Sequence, residues 1–477
     1  MPRLKPIQAL GHITRLAVAL LILTTCAVGP DYRKPPVEDI TPADWRWKIA
    51  EPRDTISRGE WWTVFGDPVL AALEASAVAA NQDLRAAVAR VDEARSAARI
   101  DRSEFFPEIS LDPSVKRERT SGHMPTPIPI PIPASHVNTY SVPFDLSYEV
   151  DVWGRVRRSF EAAQAQAEAS VSDYWSVLLT LTADVAANYF HVRALDSEIA
   201  VLQQTIQSRE EMVRVLEGRF LAGAVPEIDV ARARTELAGA RADLADARRQ
   251  RAETLHALAL LCGKPAGDFE LAERPLAGSP PQVPPGLPSS LLERRPDIAR
   301  AERTLAAKNA QIGVAKAAYF PVISLTGQAG YLSAEVNELF ADSTRVWSIS
   351  PGLSLPLFTG GRTQARVRQA EAIFRESVAA YRQTILTAFK EVEDSLAQLV
   401  LRGEESVAQM EAVTAAQRSV ELARARYEAG NGSYLDLLDA DRTRLQQERK
   451  LAQATGLRFE AAVHLIKALG GGWEGGT

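Results

Sequence analysis

A run of 63 residues, Arg155 to Glu217, contains neither proline nor glycine. It is dense in Ala, Glu, Gln, Arg and Leu, which lose little side-chain freedom in a helix. At roughly 1.5 Å per residue the run extends on the order of 90 Å, far beyond the three or four turns usual in a globular protein. A helix of that length cannot fold into one compact core and must pack along others of its kind. Directly before it, Thr139–Val152 (TYSVPFDLSYEVDV) alternates with period two, the pattern of a strand with one apolar face.

This unit occurs twice. WGR at 153–155 returns as GGR at 360–362, RFLAG at 219–223 as RYEAG at 426–430, and LCG at 261–263 as ALG at 468–470, each shifted by 207 positions. FFPEISL at 105–111 returns as YFPVISL at 319–325, shifted by 214, and a longer first loop absorbs the difference. Landmarks that share one offset mark an internal duplication.

The expected organisation follows in chain order. Residues 26–66 are an extended segment rich in Pro and Trp. Trp45, Trp47, Trp61 and Trp62 are expected to pack it on the outside of something larger. The first repeat is 67–262. Asp67-Pro68 starts a helix that runs from Val69 to Ser103. Strands follow over about 107–118 and 139–152, separated by Pro125–Pro133 (PTPIPIPIP), which can be neither helix nor central strand. The long helix then breaks near Gly218 and again over Arg219–Val230, and a second helix runs from Glu227 to Cys262. Gly263–Pro288 is a Pro-rich linker. The second repeat, 289–470, has a helix over Pro296–Ala318, strands over about 321–332 and 346–358, and helices over Arg362–Arg402, Glu404–Ala429 and Ser433–Leu469. Residues 471–477 are a tail.

The strands segregate their faces. Ile109, Leu111, Pro113 and Val115 lie on one face of the first, and Tyr140, Val142, Phe144, Leu146, Tyr148, Val150 and Val152 on one face of the second. Ile323, Leu325, Ala329 and Tyr331, and then Trp347, Ile349, Leu353, Leu355 and Leu357, repeat the pattern. Ser, Asp, Glu, Thr and Gln fill the other faces. Two environments fit: a half-buried sheet in a soluble protein, or barrel strands with lipid outside and water inside. Four strands cannot close a barrel, and open edges are not tolerated in lipid. A membrane reading therefore demands an oligomer. A dimer gives eight strands around a filled interior; a trimer gives twelve around a wet one, which the acidic and Ser-rich faces favour.

Arg3, Lys5 and Arg15 followed by the short apolar Leu16–Leu23 read as an export signal over 1–25. LTTC, ending at Cys26, resembles a bacterial lipoprotein box with Cys26 acylated, although Thr25 stands where that pattern has Gly, Ala or Ser. Ala27, not Asp, follows it. Cys262 then has no partner and reads as a small buried hydrophobe. A net charge of −5 gives no reason to expect nucleic acid, and no apolar stretch reaches the roughly 18 residues of a spanning helix. No catalytic or metal-binding motif stands out among the six His and two Cys.

The lipobox followed by VGPDYRKP, FFP and YFP leading into strands, SLPLFTGGR at 354–362, RYEAGNGSYLDLLDADR at 426–442 and the closing ALGGGW together resemble the TolC/OprM-like outer membrane factors, in the NodT-type efflux lipoprotein branch. The resemblance implies an α+β membrane protein: a trimeric twelve-stranded outer membrane β-barrel, four strands per chain, continuous with a long periplasmic α-helical barrel. It implies a passive gated duct of a tripartite efflux system that carries small toxic compounds outward. A periplasmic adaptor (membrane fusion) protein and an inner membrane transporter of the RND type are the implied partners, with no cofactor beyond the lipid on Cys26 and no enzymatic step. A type I protein secretion duct and a periplasm-spanning structural lipoprotein without a lumen are the alternatives.

The resemblance also marks a gate. Leu435, Asp436 and Asp439 match positions that ring the narrow end of the tunnel, where threefold symmetry gathers carboxylates and favours cations. Tyr427 matches a position in the network that holds the tip closed. Gly432 stands where one member type has a basic residue. From the residues alone, Asp436 and Asp439 in a first helical turn also suit the helix dipole. Asp229 aligns with Asp436, but Arg232 aligns with Asp439, and that sign reversal predicts an Arg232–carboxylate latch between helical hairpins.

Overall fold

The computed structural model describes residues 27–37, 59–119, 121, 134–281 and 295–471. The signal segment, Cys26, Trp45, Trp47, the Pro125–Pro133 run, the end of the linker and the tail from residue 472 lie outside the described residues. The helices are α1 (Pro68–Ala80), α2 (Gln82–Ser103), α3 (Arg155–Leu221), α4 (Glu227–Leu261), α5 (Pro296–Ala317), α6 (Arg362–Glu428) and α7 (Tyr434–Ala468). The strands are β1 (Glu108–Leu111), β2 (Ser114–Arg119), β3 (His136–Val150), β4 (Val322–Ser333) and β5 (Arg345–Ser354).

The duplication is visible in the helix bounds. Arg155 becomes Arg362, Leu221 becomes Glu428, Glu227 becomes Tyr434 and Leu261 becomes Ala468, each 207 positions on. Helix α2 returns as α5 after 214. Gly218, Gly239 and Gly403 all lie inside helices, so the weak points expected at them do not break the chain. The helix expected over 69–103 does break, at Asn81. Its side chain accepts from the Leu84 N–H at 2.9 Å and donates to the Leu261 carbonyl at 3.0 Å. Those bonds replace helix ladder bonds, as asparagine favours.

The chain divides into two units. The first holds the sheet, in the order β1-β3-β4-β5 with β2 also on β3, all neighbours antiparallel. β1 and β2 share one register on β3, with Leu111 opposite Phe144 and Ser114 opposite Ser141. They are one expected strand interrupted at Asp112-Pro113, because Pro113 has no N–H to give the ladder. β5 stops at Ser354, four residues short of expectation, just before Pro356.

The pairing places Ile109, Leu146, Gly327 and Ile349 side by side on one face. The rows on either side continue it: Leu111, Phe144, Ala329 and Trp347, and then Tyr148, Leu325 and Pro351. The opposite face carries Ser110, Asp145, Gln328 and Ser348 in one row, with Gln328 donating to Asp145 at 2.9 Å. On the apolar face Trp347 is 77% and Leu353 71% exposed within the chain. β5 on one side and β1 with β2 on the other are the unpaired edges.

Below the sheet, the Asp151 carboxylate accepts from the N–H groups of Val156 and Arg157 and caps α3. The Trp153 indole stacks on Phe320 and donates to the Pro321 carbonyl at 2.8 Å. The lead from Ala27 docks here. Val28 N–H donates to Trp153 O, Asn309 to Pro30 O, and Arg158 pairs with Asp31 at 2.7 Å. Gly29 has φ +113°, and a Cβ there would stand 2.5 Å from Gly313 Cα, so this crossing needs a glycine on both sides.

The second unit has its main core where Trp61, Leu70, Val185, Tyr189, Phe190, Leu258, Phe459 and Val463 meet. Trp61 donates from its indole to Thr182 at 3.1 Å, the packing role expected of it. Cys262 is buried here, as expected, and burial pushes its thiol pKa up. The described part of the linker is pinned down. Asp196, wholly buried, accepts from Arg251 at 2.6 Å, Arg193 at 2.9 Å and the Arg274 N–H at 3.0 Å, while Arg193 and Arg251 also hold the carbonyls of Ala272 and Leu271.

Candidate functional site

Two helical turns in the second unit carry the residues singled out from the sequence. One joins α3 to α4, the other α6 to α7. The second turn is built by Gly430, with φ +74°, and by a capping box. Ser433 Oγ accepts from the Asp436 N–H at 3.2 Å, and an Asp436 carboxylate oxygen accepts from the Ser433 N–H at 3.3 Å. Asp436 thus caps its own helix, the local reading its position allowed. Gly432 is crowded rather than strained. A Cβ there would lie 3.1 Å from Arg426 Cβ, so a larger side chain would press on the end of α6.

The first two turns of α7 divide cleanly. Tyr434, Leu437 and Leu438 are buried, with Tyr434 and Leu438 packed against Val213, Leu216, Val230 and Leu237 of the first hairpin. Burial, with the Asp441 carboxylate nearby, pushes the Tyr434 hydroxyl up to about 12. Leu435, Asp436 and Asp439 share the other side and are exposed. The chain therefore brings these three predicted residues onto one face that its own hairpins do not cover. Among the described residues the Asp439 carboxylate reaches Arg442 alone, at 3.4 Å on the same helix.

Tyr427 belongs to the same cluster. Its ring lies 5.9 Å from that of Tyr434, with the Arg219 guanidinium 5.4 Å over it. Its hydroxyl is buried without a hydrogen-bond partner among the described residues, so its contribution comes through the ring.

The expected Arg232 latch is not made within the chain. Arg232 pairs with Asp229 of its own helix at 3.7 Å, one turn away, and makes no ion pair with the second hairpin among the described residues. The crossing is made further from the turns. Arg209 of α3 reaches Asp441 of α7 at 3.1 Å and Glu236 of α4 at 3.3 Å, and Arg442 of α7 reaches the same Glu236. Arg444 adds Asp441 and Glu448, and Arg449 joins Glu198 to Asp243. Sequence reasoning missed this zipper. Its signal was Asp441 at seam spacing between Leu438 and Leu445, a charge on an apolar stripe.

Among the described residues no three His, Cys, Asp or Glu side chains come together as a metal site, and no helix is long and apolar enough to cross a membrane.

A family model described as outer membrane efflux protein matches residues 73–264 and 287–471, one match to each repeat. Outer membrane protein OprJ of Pseudomonas aeruginosa is 35% identical over 475 residues, covering 97% of this chain and 96% of its own. Solvent efflux pump outer membrane protein SrpC of Pseudomonas putida is 35% identical over 467 residues, covering 96% and 97%. Among solved structures, the open state of the Neisseria gonorrhoeae MtrE outer membrane channel superposes with TM-score 0.79 at 31% identity, over 94% of this chain and 98% of that one.

Proposed function

This chain belongs to the outer membrane efflux protein family and is the outer membrane channel of an efflux system; within that role, we propose that it is a passive duct closed at its periplasmic end by the α6–α7 turn. Three copies form a twelve-stranded barrel, with the apolar sheet face toward lipid and the Asp145 and Gln328 face toward water. Three copies of Leu435, Asp436 and Asp439 meet at the tip as an apolar and acidic constriction that favours cations. A periplasmic adaptor docks on the helices, and a proton-driven inner membrane transporter of the RND type feeds small toxic compounds through it. SrpC is named for solvents, and apolar compounds of that kind are the proposed cargo here. Cys26 carries the lipid anchor. The described chain supports this by holding Ala27 and Val28 against Gly154 and Trp153, where the sheet gives way to α3. A mass increment of acyl groups on the N-terminal peptide, absent in Cys26→Ser, tests that anchor.

The observation that carries the gate is the exposed face of α7, which this chain's own hairpins leave uncovered. Single-channel conductance in a planar bilayer tests it. The wild-type channel is expected to give a small, cation-selective conductance, and Asp439→Ala to enlarge it and weaken the selectivity. Asp439 is the cleaner probe, because Asp436→Ala also removes a cap worth about 1 kcal/mol. An unchanged conductance in Asp436→Ala/Asp439→Ala would place the constriction elsewhere.

A further inference from the structure

The apolar face of the sheet has a definite height. Its rows run from Val150, Ile323 and Leu353 beside the helices to Val115, Tyr140 and Ser333 at the remote end. Six rows, two residues apart, span roughly 34 Å along the strands, or about 25 Å once tilted in a barrel. That is the height of a barrel's lipid-facing band, with Phe144, Trp347, Tyr331 and Tyr140 in its last three rows.

Within the band the one basic residue among those described is Arg345, opposite Tyr331 in the fifth row and paired with Asp342 at 2.8 Å; past the last row the same face carries arginines without such a partner. Arg117 stands opposite Asn138 and Arg119 opposite His136, in the parity of Val115 and Leu111. Both arginines are exposed and have no acidic partner among the described residues. Their neighbours Lys116 and Glu118 point to the other face and pair with each other at 2.6 Å. Residues 120–135, which join β2 to β3, include no Asp or Glu. Two guanidinium groups without counter-charge therefore share the direction of the lipid-facing band and sit at the level where headgroups begin. A surface serving only solubility does not need both on the lipid side. A guanidinium fork matches phosphate oxygens bidentately.

We propose that Arg117 and Arg119, with Asn138 and His136 across the ladder, bind the phosphate-bearing headgroup of an outer-leaflet lipid whose acyl chains lie on the Val115, Tyr140 and Trp347 end of the apolar band. The inference rests on the outer membrane placement of the sheet. The asparagine amide and imidazole supply further polar contacts beside the guanidinium pair. Three copies present the surface three times around the barrel.

The test uses the purified, delipidated oligomer in nonionic detergent and lipid A as probe, with both phosphates present or both removed. Binding is read by native mass spectrometry. Arg117→Gln/Arg119→Gln is expected to weaken binding of the phosphorylated lipid about tenfold, and Arg117→Lys/Arg119→Lys to keep most of it. Lys116→Gln, on the opposite face, is expected to leave it unchanged. Dephosphorylated lipid A should bind the wild type no better than the phosphorylated form binds the glutamine variant. Equal binding of the two lipids, or full binding by the glutamine variant, overturns the proposal. So does complete displacement by millimolar inorganic phosphate, which would make this an anion site with no use for the apolar band. If the double variant loses the heat-resistant oligomer, Arg119→Gln at the end of β2 carries the test, with a fall of about threefold expected. Conductance reports separately on the channel, so loss of lipid binding with conductance intact fails neither the duct nor the gate.

Discussion

Glu74 is wholly buried in α1, between Leu70 and Ala77 on the core face, and neither carboxylate oxygen has a hydrogen-bond partner among the described residues. Burial pushes its carboxyl up to about 9, against 4.5 for an exposed glutamate. Below pH 4.5 it is protonated folded or unfolded and costs nothing. Between those values unfolding releases its proton, so stability falls as pH rises, by roughly 3 kcal/mol at pH 7. Glu74→Gln should remove that slope. The dissociation temperature of the oligomer should drop from pH 5.5 to 8.5 more in the wild type than in the variant; parallel curves would mean the carboxyl finds a partner. This residue was not legible in the sequence, where a glutamate in a helical pattern reads as solvated. Cys262 was legible, because a small apolar thiol inside LALLCG has no other plausible place.

Among the elements, α4 and α7 were readable to within a residue, while the breaks expected near Gly218 and at Gly403 do not occur, because a single glycine costs a long packed helix only about 1 kcal/mol. The misses lie where a side chain competes with the backbone ladder or where the partner is remote. Asn81 divides α1 from α2 through its own hydrogen bonds, and Pro113 divides β1 from β2 by withholding one. At the tips, the spacing put Asp436 and Asp439 on one helix face, and in α7 they lie exposed beside Leu435, but the bond between hairpins was assigned to Arg232, whose partner is only one turn away. The zipper pairs Arg442 with Glu236 and Asp441 with Arg209, each more than 200 positions apart; spacing marks Asp441 as a charge on a seam but cannot name its partner. Arg442→Ala is therefore expected to raise closed-state conductance, and Arg232→Ala to leave it unchanged. The reverse pattern would return the latch to Arg232, acting on a neighbouring copy. The sheet offers a second contrast at adjacent positions. Ile349 lies mid-band on the apolar face and Ser348 on the polar one. A lysine at 349 should cost about 2–4 kcal/mol and lower the heat resistance of the oligomer. A lysine at 348 should spare the oligomer and reduce cation selectivity.

At the scale of the molecule, the edges of the sheet decide the assembly. β5 and the β1–β2 pair each leave a row of N–H and C=O groups unpaired, which cannot persist in hydrocarbon. Closure therefore requires further copies, and the inner face selects their number. Two copies make eight strands, a barrel whose interior side chains fill. That interior would enclose Asp145 from each chain with Gln328, Ser348 and Ser350 around it, and a buried carboxylate with no counter-charge among the described residues is costly. Three copies open a lumen wide enough for water to solvate those groups. The prediction is a trimer that forms with barrel closure, with no stable folded monomer in the membrane. Coexpression of two differently tagged forms should give four oligomeric species on a native gel, two pure and two mixed. Three species would mean a dimer, and the polar face of the sheet would then have to be reconciled with a packed interior.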